Sequence, residues 1–251
     1  MNKEINTGKT FDSQFDFYYK EKFEKWTWYG KTKEEEFKHF LEIFPNIKKN
    51  EKILNAGFGN HTLLQSLGEN YPTAEVYGID ACDIRNVKER LKDFKNIKII
   101  QSDILDMPFK DNYFDKIWCC GVLHHTENPR KNFDELVKVL KNKGEIYIFI
   151  YRKKFNFYLE LRRIFKNSHK WNRKKQYYIS YIIAVLFYPI IFLKNIKTKP
   201  SLRTIAYYIY DSLSPQYNWR FDEKEIKEWF EQNNLEFKNL GNGEYLGIKN
   251  N

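Results

Sequence analysis

Two glycines and an aspartate, placed at the ends of successive apolar runs, are the residues of this sequence best suited to hold a ligand. Gly57 and Gly59 follow the run Ile53–Ala56, and Asp80 ends the next run, 21 residues after Gly59. Glycine lets backbone N–H groups approach a ligand closely, and a following helix adds partial positive charge at its N-terminus. A carboxylate at this distance can accept hydrogen bonds from both hydroxyls of a ribose. The spacing therefore predicts a site for an adenosine-type cofactor.

The elements that must position these residues alternate between strand and helix. Apolar runs predict strands at 52–56, 75–79, 97–101, 115–120 and 145–151, the last of them after a turn at 142–144. Three- and four-residue apolar spacing predicts helices at 33–44, 61–67, 87–94, 133–140 and 223–232. Two further strands, at 236–240 and 245–249, form a closing hairpin. Alternation of this kind predicts right-handed crossovers and a parallel sheet.

The positive charge of the chain is concentrated in one segment. The 251 residues include 43 lysines and arginines and 33 acids, which gives a net charge of +10. Residues 152–199 contain 13 of the basic residues and a single acid, Glu160, so this segment carries +12 and the rest carries −2. Attraction to an anionic partner is therefore expected from this segment.

Four segments in order along the chain resemble the class I S-adenosylmethionine-dependent methyltransferases, in the group that acts on small molecules. They are the glycine turn at 53–59, the acid at 79–80, the loop at 101–104, and the fourth strand with its loop at 114–125. Together they are far more specific than a lone Gly-x-Gly. The resemblance covers about residues 51–151 and resumes in the last helix and hairpin. It implies an α/β fold with a doubly wound, mostly parallel, seven-stranded Rossmann-like sheet, an antiparallel last strand and a helical cap insertion.

The same resemblance implies S-adenosylmethionine as the cofactor and assigns residues to it. Asp80 would accept from the ribose hydroxyls, Asp103 would accept from the adenine amino group, and Gly121 would lie under the sulfonium. The complete set of cofactor-binding residues implied in this way is Asn55, Ala56, Gly57, Gly59, Asp80, Ala81, Asp103, Ile104, Gly121 and Val122.

Three residues depart from the glycine motif of that family. Asn55 stands where an acid is usual, Phe58 is bulky between the glycines, and His61 replaces a third glycine. Asparagine keeps a hydrogen-bond acceptor but lacks the charge that would face a cationic amino group. A non-catalytic protein that binds the cofactor is therefore one alternative to an enzyme.

His124 and His125 follow the predicted fourth strand, on the rim where a methyl group would be transferred. A neutral imidazole can remove a proton from an attacking hydroxyl or amine, so both are predicted catalytic residues. Alternatively, one holds the loop while the other faces solvent, and transfer proceeds by proximity and orientation alone. The neighbouring Cys119 and Cys120 face opposite sides of a strand, so no metal site is expected.

The basic segment contains an uncharged run at 177–193 that has three interpretations. A bilayer span is rejected, although the length is near the lower limit, because it would separate two parts of one sheet. A helical cap over the substrate pocket is favoured. A cap that also contacts an anionic membrane or an anionic substrate is the third interpretation. Beyond the run, Asp211, Tyr217 and Trp219 are predicted to contact substrate, or otherwise to cap and pack the following helix.

The chain is thus divided into an N-terminal helical and aromatic segment (1–45), a cofactor-binding core (46–151), a basic helical cap insertion (152–200), and a return segment with the last helix and hairpin (201–251). The predicted function is methyl transfer, in biosynthesis, to an oxygen or nitrogen of a small or lipid-like metabolite. An RNA methyltransferase is an alternative, although the loop after the fourth strand lacks the Asn-Pro-Pro-Tyr sequence used on exocyclic base nitrogens. Three cysteines and a polar N-terminus predict a cytoplasmic location, or one peripheral to a membrane.

Overall fold

The structure, a computed structural model, describes residues 32–194 and 201–251. It divides the chain into two compact units, one formed by residues up to Lys153 with Trp219–Asn251, and a second formed by Lys154–Asn218. The aromatic part of the predicted N-terminal segment, residues 1–31, lies outside the described residues, and its helical face stays a prediction.

The first unit is built on a seven-stranded sheet. Its strands are β1 (Lys52–Ala56), β2 (Glu75–Asp80), β3 (Ile97–Gln101), β4 (Phe114–Cys120), β5 (Leu140–Phe149), β6 (Leu235–Gly241) and β7 (Glu244–Lys249). Their order in space is β3-β2-β1-β4-β5-β7-β6. The first five strands are parallel to their neighbours, whereas β7 is antiparallel to both β5 and β6. The predicted doubly wound, mostly parallel sheet with an antiparallel last strand is confirmed.

Helices cover both faces of this sheet. Consecutive side chains of a strand point to opposite sides, so a strand with apolar residues in succession has apolar groups to bury on each face. Ile117 of β4 belongs to a core cluster with Phe133 and Phe230, while the next residue, Trp118, belongs to a second cluster with Phe40. The helices of this unit are α1 (Lys33–Ile43), α2 (Thr62–Asn70), α3 (Arg85–Arg90), α4 (Pro129–Val139) and, late in the chain, α8 (Glu223–Gln232).

The turn predicted at 142–144 is wrong, because these residues continue strand β5. The pairing with β4 shifts at this point: Phe114 pairs with Leu140, but Lys116 pairs with Glu145. Lys143 takes a positive φ of 62° within the shift. The polar Asn-Lys-Gly sequence therefore marks a β-bulge, where extra residues are accommodated without ending the strand.

The second unit is helical. It contains α5 (Phe157–Ile164), α6 (Arg173–Lys194) and α7 (Leu202–Leu213). Ile183 and Ala184 of α6 form one apolar cluster with Ile205 and Ile209 of α7. The unit extends from Lys154 to Asn218, so it is longer at its C-terminal end than the insertion predicted at 152–200. Among the helices that the structure describes, none is both long enough and apolar enough to cross a bilayer.

Candidate functional site

The glycine turn after β1 and the carboxylate that ends β2 are joined by hydrogen bonds. The N–H of Gly57 donates to the carbonyl of Ile79 at 2.8 Å, and the N–H of Gly59 donates to Asp80 Oδ2 at 2.9 Å. Both glycines have positive φ, 69° and 57°, a region that residues with a Cβ rarely adopt. The structure thus brings these three sequence-predicted residues together at the carboxyl edge of the parallel strands.

The carboxylate of Asp80 is nearly buried and held in one orientation. Oδ2 accepts from Gly59, Oδ1 accepts from the N–H of Cys82 at 3.0 Å, and the residue is 9% exposed. A carboxylate oxygen has two lone pairs, so each oxygen keeps capacity for one more donor. Two hydroxyl groups are the ligand pattern that this arrangement suits.

The loop after β4 approaches the glycine turn closely. A Cβ placed on Gly57 would lie 2.4 Å from Cγ2 of Val122 and 2.8 Å from its Cγ1, well inside van der Waals contact. Gly121, with φ of 78°, donates its N–H to the carbonyl of Phe149 at 3.2 Å. The turns after β1 and β4 are therefore packed against each other, and position 57 has no room for a Cβ beside Val122.

Asp103 ends the loop after β3 and caps the 3₁₀ turn Ile104–Asp106. Its Oδ1 accepts from the N–H of Leu105 at 2.9 Å, and Ile104 is 6% exposed. The preceding residue, Ser102, donates its N–H to the carbonyl of Asp80 at 2.9 Å, which ties this loop to the end of β2. Asp103 thus has a local capping role in the structure, and its contact with an adenine stays a prediction.

Asn55 and Ala56 occupy the last two positions of β1. Asn55 is 3% exposed and pairs in register with Gly78 of β2 and Trp118 of β4, so it lies inside the sheet. Ala81 follows the end of β2 and is half-buried. Direct contact between these residues and a cofactor stays a prediction.

His124 and His125 lie in the 3₁₀ turn that follows β4. His124 is fully buried, and neither of its ring nitrogens has a hydrogen-bond partner within the described part of the chain. Its ring stacks on Tyr151 with 3.7 Å between centroids, and it contacts the ring of His125 edge-on at 4.2 Å. Burial, and to a smaller extent His125, lower the pKa of His124 well below its ordinary value. Its imidazole is therefore neutral and a weak base.

Trp219 is hydrogen-bonded to the same 3₁₀ turn. Its backbone N–H donates to the carbonyl of His124 and its indole N–H to the carbonyl of Thr126, both at 3.0 Å, while the side chain is 47% exposed. The other two predicted substrate-binding residues lie in the helical unit: Asp211 in α7, and Tyr217, whose hydroxyl accepts from the side chain of Gln216 at 3.2 Å.

Two residues of the site were not predicted from the sequence. Tyr151 stacks on His124, and its position just beyond β5, beside β4, is the sequence signal that could have identified it. Asn60 follows the second glycine; its Oδ1 accepts from the N–H of Thr62 at 3.1 Å. Its buried Nδ2 has no hydrogen-bond partner among residues 32–194 and 201–251. A buried donor without an acceptor is costly, so Asn60 is suited to a ligand oxygen.

The cysteines of β4 are separated by the pleat of the strand. Cys119 is fully buried, which raises the pKa of its thiol, whereas Cys120 is half-buried. In the part of the chain that the structure describes, no group of three His, Cys, Asp or Glu side chains is placed to hold a metal ion.

Replacing His124 by phenylalanine is expected to make stability less dependent on pH. The pKa of His124 lies well below 6.5 in the folded chain, so protons bind the unfolded chain preferentially below that pH. The contribution of neutral His124 to the free energy of unfolding is therefore present in full above pH 6.5 and is lost as the pH falls below it. Between neutral pH and about pH 5, the wild type should lose up to about 2 kcal/mol more of its unfolding free energy than His124→Phe.

Urea unfolding at the two pH values measures this difference. Phenylalanine retains a ring that can stack on Tyr151, so the comparison at neutral pH reports the effect of packing alone. Equal losses in the two proteins would show that His124 can take up a proton in the folded chain.

Comparison with known proteins connects this geometry to a family. The family described as "Methyltransferase domain" matches residues 54–148. An uncharacterised protein of Methanocaldococcus jannaschii is 34% identical over 164 residues, which cover 63% of this chain and 68% of that protein. A demethylmenaquinone methyltransferase of Staphylococcus saprophyticus is 31% identical over 104 residues, covering 40% of this chain and 45% of the enzyme. A tRNA (carboxymethyluridine(34)-5-O)-methyltransferase of Arabidopsis thaliana is 33% identical over 115 residues, covering 45% and 26%. The match thus spans less than half of either enzyme.

Solved structures share the fold. A Haloferax volcanii protein, solved in complex with the Trm112 methyltransferase activator, superposes with a TM-score of 0.57 at 12% identity, covering all of both chains. The magnesium protoporphyrin IX methyltransferase of Synechocystis, solved with bound SAH, superposes with a TM-score of 0.50 at 15% identity, covering 84% of this chain and 79% of that one. At these identities the likeness shows the fold.

Proposed function

Because the chain belongs to the class I S-adenosylmethionine-dependent methyltransferases, we propose that it methylates an oxygen or nitrogen of a small or lipid-like acceptor. Family membership makes it an enzyme rather than a non-catalytic cofactor-binding protein, and gives S-adenosylmethionine as its cofactor. The proposal concerns the acceptor. Its main support is the stack of His124 on Tyr151 after β4, beside which Trp219 is held by hydrogen bonds to His124 and Thr126.

The residues of the glycine turn fit this cofactor. The two open acceptor positions on Asp80 match a pair of ribose hydroxyls. The unpaired amide donor of Asn60 matches a polar ligand atom at the same turn. We infer that these residues hold the nucleoside, while Gly121 and Val122 border its methyl-bearing end.

The residues of the protein contribute mainly to positioning the two reactants. S-adenosylmethionine, when bound, supplies a methyl group made electrophilic by its sulfonium. The protein must hold the acceptor atom in line with that methyl group and exclude water, which alone accounts for large rate effects. Aromatic side chains provide rigid apolar surfaces for a flat acceptor, and Trp219, which is hydrogen-bonded to this turn, is half-exposed to solvent.

The two histidines differ in their suitability as a base. His124 is fully buried and its pKa is well below the ordinary value, so we assign it a packing role against Tyr151. His125 is 8% exposed and is the candidate to receive the proton of the acceptor. An acceptor that reacts without a strong base must itself be a good nucleophile, such as a phenol, an enol or an amine. A flat ring agrees with the relative named as a demethylmenaquinone methyltransferase.

The proposal is tested by following the methyl group. Purified protein is incubated with methyl-labelled S-adenosylmethionine and an extract of the source cells, which is then separated into solvent-soluble, aqueous small-molecule and nucleic-acid fractions. We expect label in one of the first two fractions, and mass spectrometry identifies the product. The Asp80→Ala variant is the negative control. Label confined to nucleic acid would contradict the proposal.

An RNA acceptor is the second candidate. It is supported by the relative that methylates tRNA and by the net charge of +12 on residues 152–199. Binding through phosphates predicts a steep loss of tRNA affinity with salt, because bound counterions are released. Filter binding of tRNA over a range of salt concentrations measures this, and the absence of binding at low salt would eliminate the candidate.

A further inference from the structure

The outward face of α6 is apolar and exposed to solvent. Along it, large apolar side chains recur at three- and four-residue spacing, so they share one side of the helix. Their exposed fractions lie between 39% and 69%. We call this set the apolar stripe: Tyr178, Tyr181, Ile182, Val185, Leu186 and Ile190. It extends about 18 Å along the helix axis. Soluble monomers seldom expose a continuous apolar surface of this kind without a binding role.

The stripe is not required by the core of the helical unit. The opposite side of α6 carries Ile183, Ala184 and Ile191, which are buried against α7. Two polar residues on that buried side are satisfied internally: Gln176 donates to the carbonyl of Ser168 at 2.6 Å, and Ser180 donates to the carbonyl of Gln176 at 2.7 Å. An ordinary surface helix has its polar face outward. This helix places hydrogen-bonded polar groups inside and apolar groups outside.

Positive charge adjoins one end of the stripe. Lys174 and Lys175 are exposed in the first turn of α6, and Lys174 precedes Tyr178 by four residues, which places it on the same face. The ammonium of Lys175 lies 5.0 Å from the ring centroid of Trp171. From Gln176 to Leu193 the helix carries no charged residue. The face therefore changes from basic to apolar along its length, with two tyrosines near the boundary.

We propose that the apolar stripe docks on the surface of an anionic phospholipid bilayer. Helices that lie in a membrane interface combine an exposed apolar face with lysines that contact anionic headgroups. Tyrosine is favoured at the headgroup level, because its ring is apolar and its hydroxyl is polar. The neighbouring lysines give charge complementarity to such a surface, which an uncharged apolar partner would not use.

Vesicle sedimentation with the full chain tests the apolar part of the proposal. The wild type is expected to bind vesicles of equal parts phosphatidylcholine and phosphatidylglycerol, and to bind pure phosphatidylcholine much less. The double variant Ile182→Ser with Leu186→Ser should partition on the order of tenfold more weakly, or worse, because it removes two of the most exposed apolar side chains. The matched control, Ile182→Leu with Leu186→Ile, keeps the apolar area and should bind like the wild type.

A second pair of variants tests the charged part. Lys174→Gln with Lys175→Gln should lower the partition coefficient by about thirtyfold at low salt, since each lysine at an anionic surface contributes to binding. Lys224→Gln with Lys227→Gln removes the same charge from exposed positions of α8 and should have little effect. Circular dichroism of every variant confirms that the fold is retained.

Three results would overturn the proposal. They are equal binding of the wild type to neutral and anionic vesicles, unchanged binding of the Ile182→Ser and Leu186→Ser variant, and failure of the wild type to bind either vesicle. Sedimentation velocity adds a fourth. A wild-type dimer that this serine variant converts to monomers would assign the stripe to a second copy of the chain instead.

Discussion

Replacing Asp80 by alanine is expected to weaken binding of S-adenosylmethionine by at least about 100-fold, because hydrogen bonds to a charged group contribute roughly 1.5–3 kcal/mol each. The carboxylate has one open acceptor position on each oxygen for a ribose hydroxyl. Its removal also leaves the N–H groups of Gly59 and Cys82 without their acceptor, so the glycine turn loses its link to β2. Isothermal titration calorimetry with the cofactor measures the loss.

Asp83 offers a matched control for this experiment. It lies three residues further along the same loop, is exposed, and forms an ion pair with Arg85. Asp83→Ala removes the same charge at nearly the same place, so it should change the affinity by no more than about twofold. Thermal unfolding of both variants separates a loss of binding from a loss of folding. Wild-type affinity in Asp80→Ala would place the nucleoside elsewhere.

The fold could be predicted because buried parallel strands have a strong sequence signal. Strands β1 and β2 are nearly continuous apolar runs, since both of their faces are covered by helices. Asp80 stands at the end of such a run, and parallel pairing of β1 with β2 brings it to the glycine turn. The positions of these residues along the sequence were thus sufficient to predict that they meet at one edge of the sheet.

The difference between His124 and His125 could not be predicted in this way. The two residues are adjacent and identical, and a local pattern gives both the same role. The burial of His124 depends on Tyr151 beyond β5 and on the backbone of Trp219 beyond the helical unit. Such contacts join residues far apart in the sequence, so only the folded chain shows which imidazole is enclosed.

Which face of α6 is buried also depends on contacts with residues that are distant in the sequence. Its sequence shows an uncharged run but no conventional amphipathic pattern, because Gln176 and Ser180 interrupt the side that becomes buried. Which side is covered depends on α7, whose Ile205 and Ile209 pack against it.

The bulge in β5 could not be predicted from local sequence either. Asn-Lys-Gly has the composition of a turn, and only the pairing with β4 shows that the strand continues through it.

Replacing Gly57 by alanine is expected to lower the free energy of unfolding by about 2–5 kcal/mol. An alanine at a φ of 69° is strained by about 1–2 kcal/mol, and overpacking a fitted contact adds about 1–3 kcal/mol. The added Cβ would meet Cγ2 of Val122 at 2.4 Å, so either the glycine turn or the loop after β4 must move. Because both border the nucleoside site, cofactor affinity should fall together with stability. Urea unfolding measures the first effect and calorimetry the second.

Gly241 separates backbone strain from steric contact in this prediction. It also has a positive φ, 93°, but a Cβ there would meet nothing within 4 Å. Gly241→Ala should therefore cost only the strain, about 1–2 kcal/mol, and leave cofactor binding unchanged.

In the double variant Gly57→Ala with Val122→Ala, the two closest clashing atoms are absent, so the combined loss of unfolding free energy should be smaller than the sum of the single losses. Additive losses would show that the turn after β1 and the loop after β4 do not form a common wall of the site.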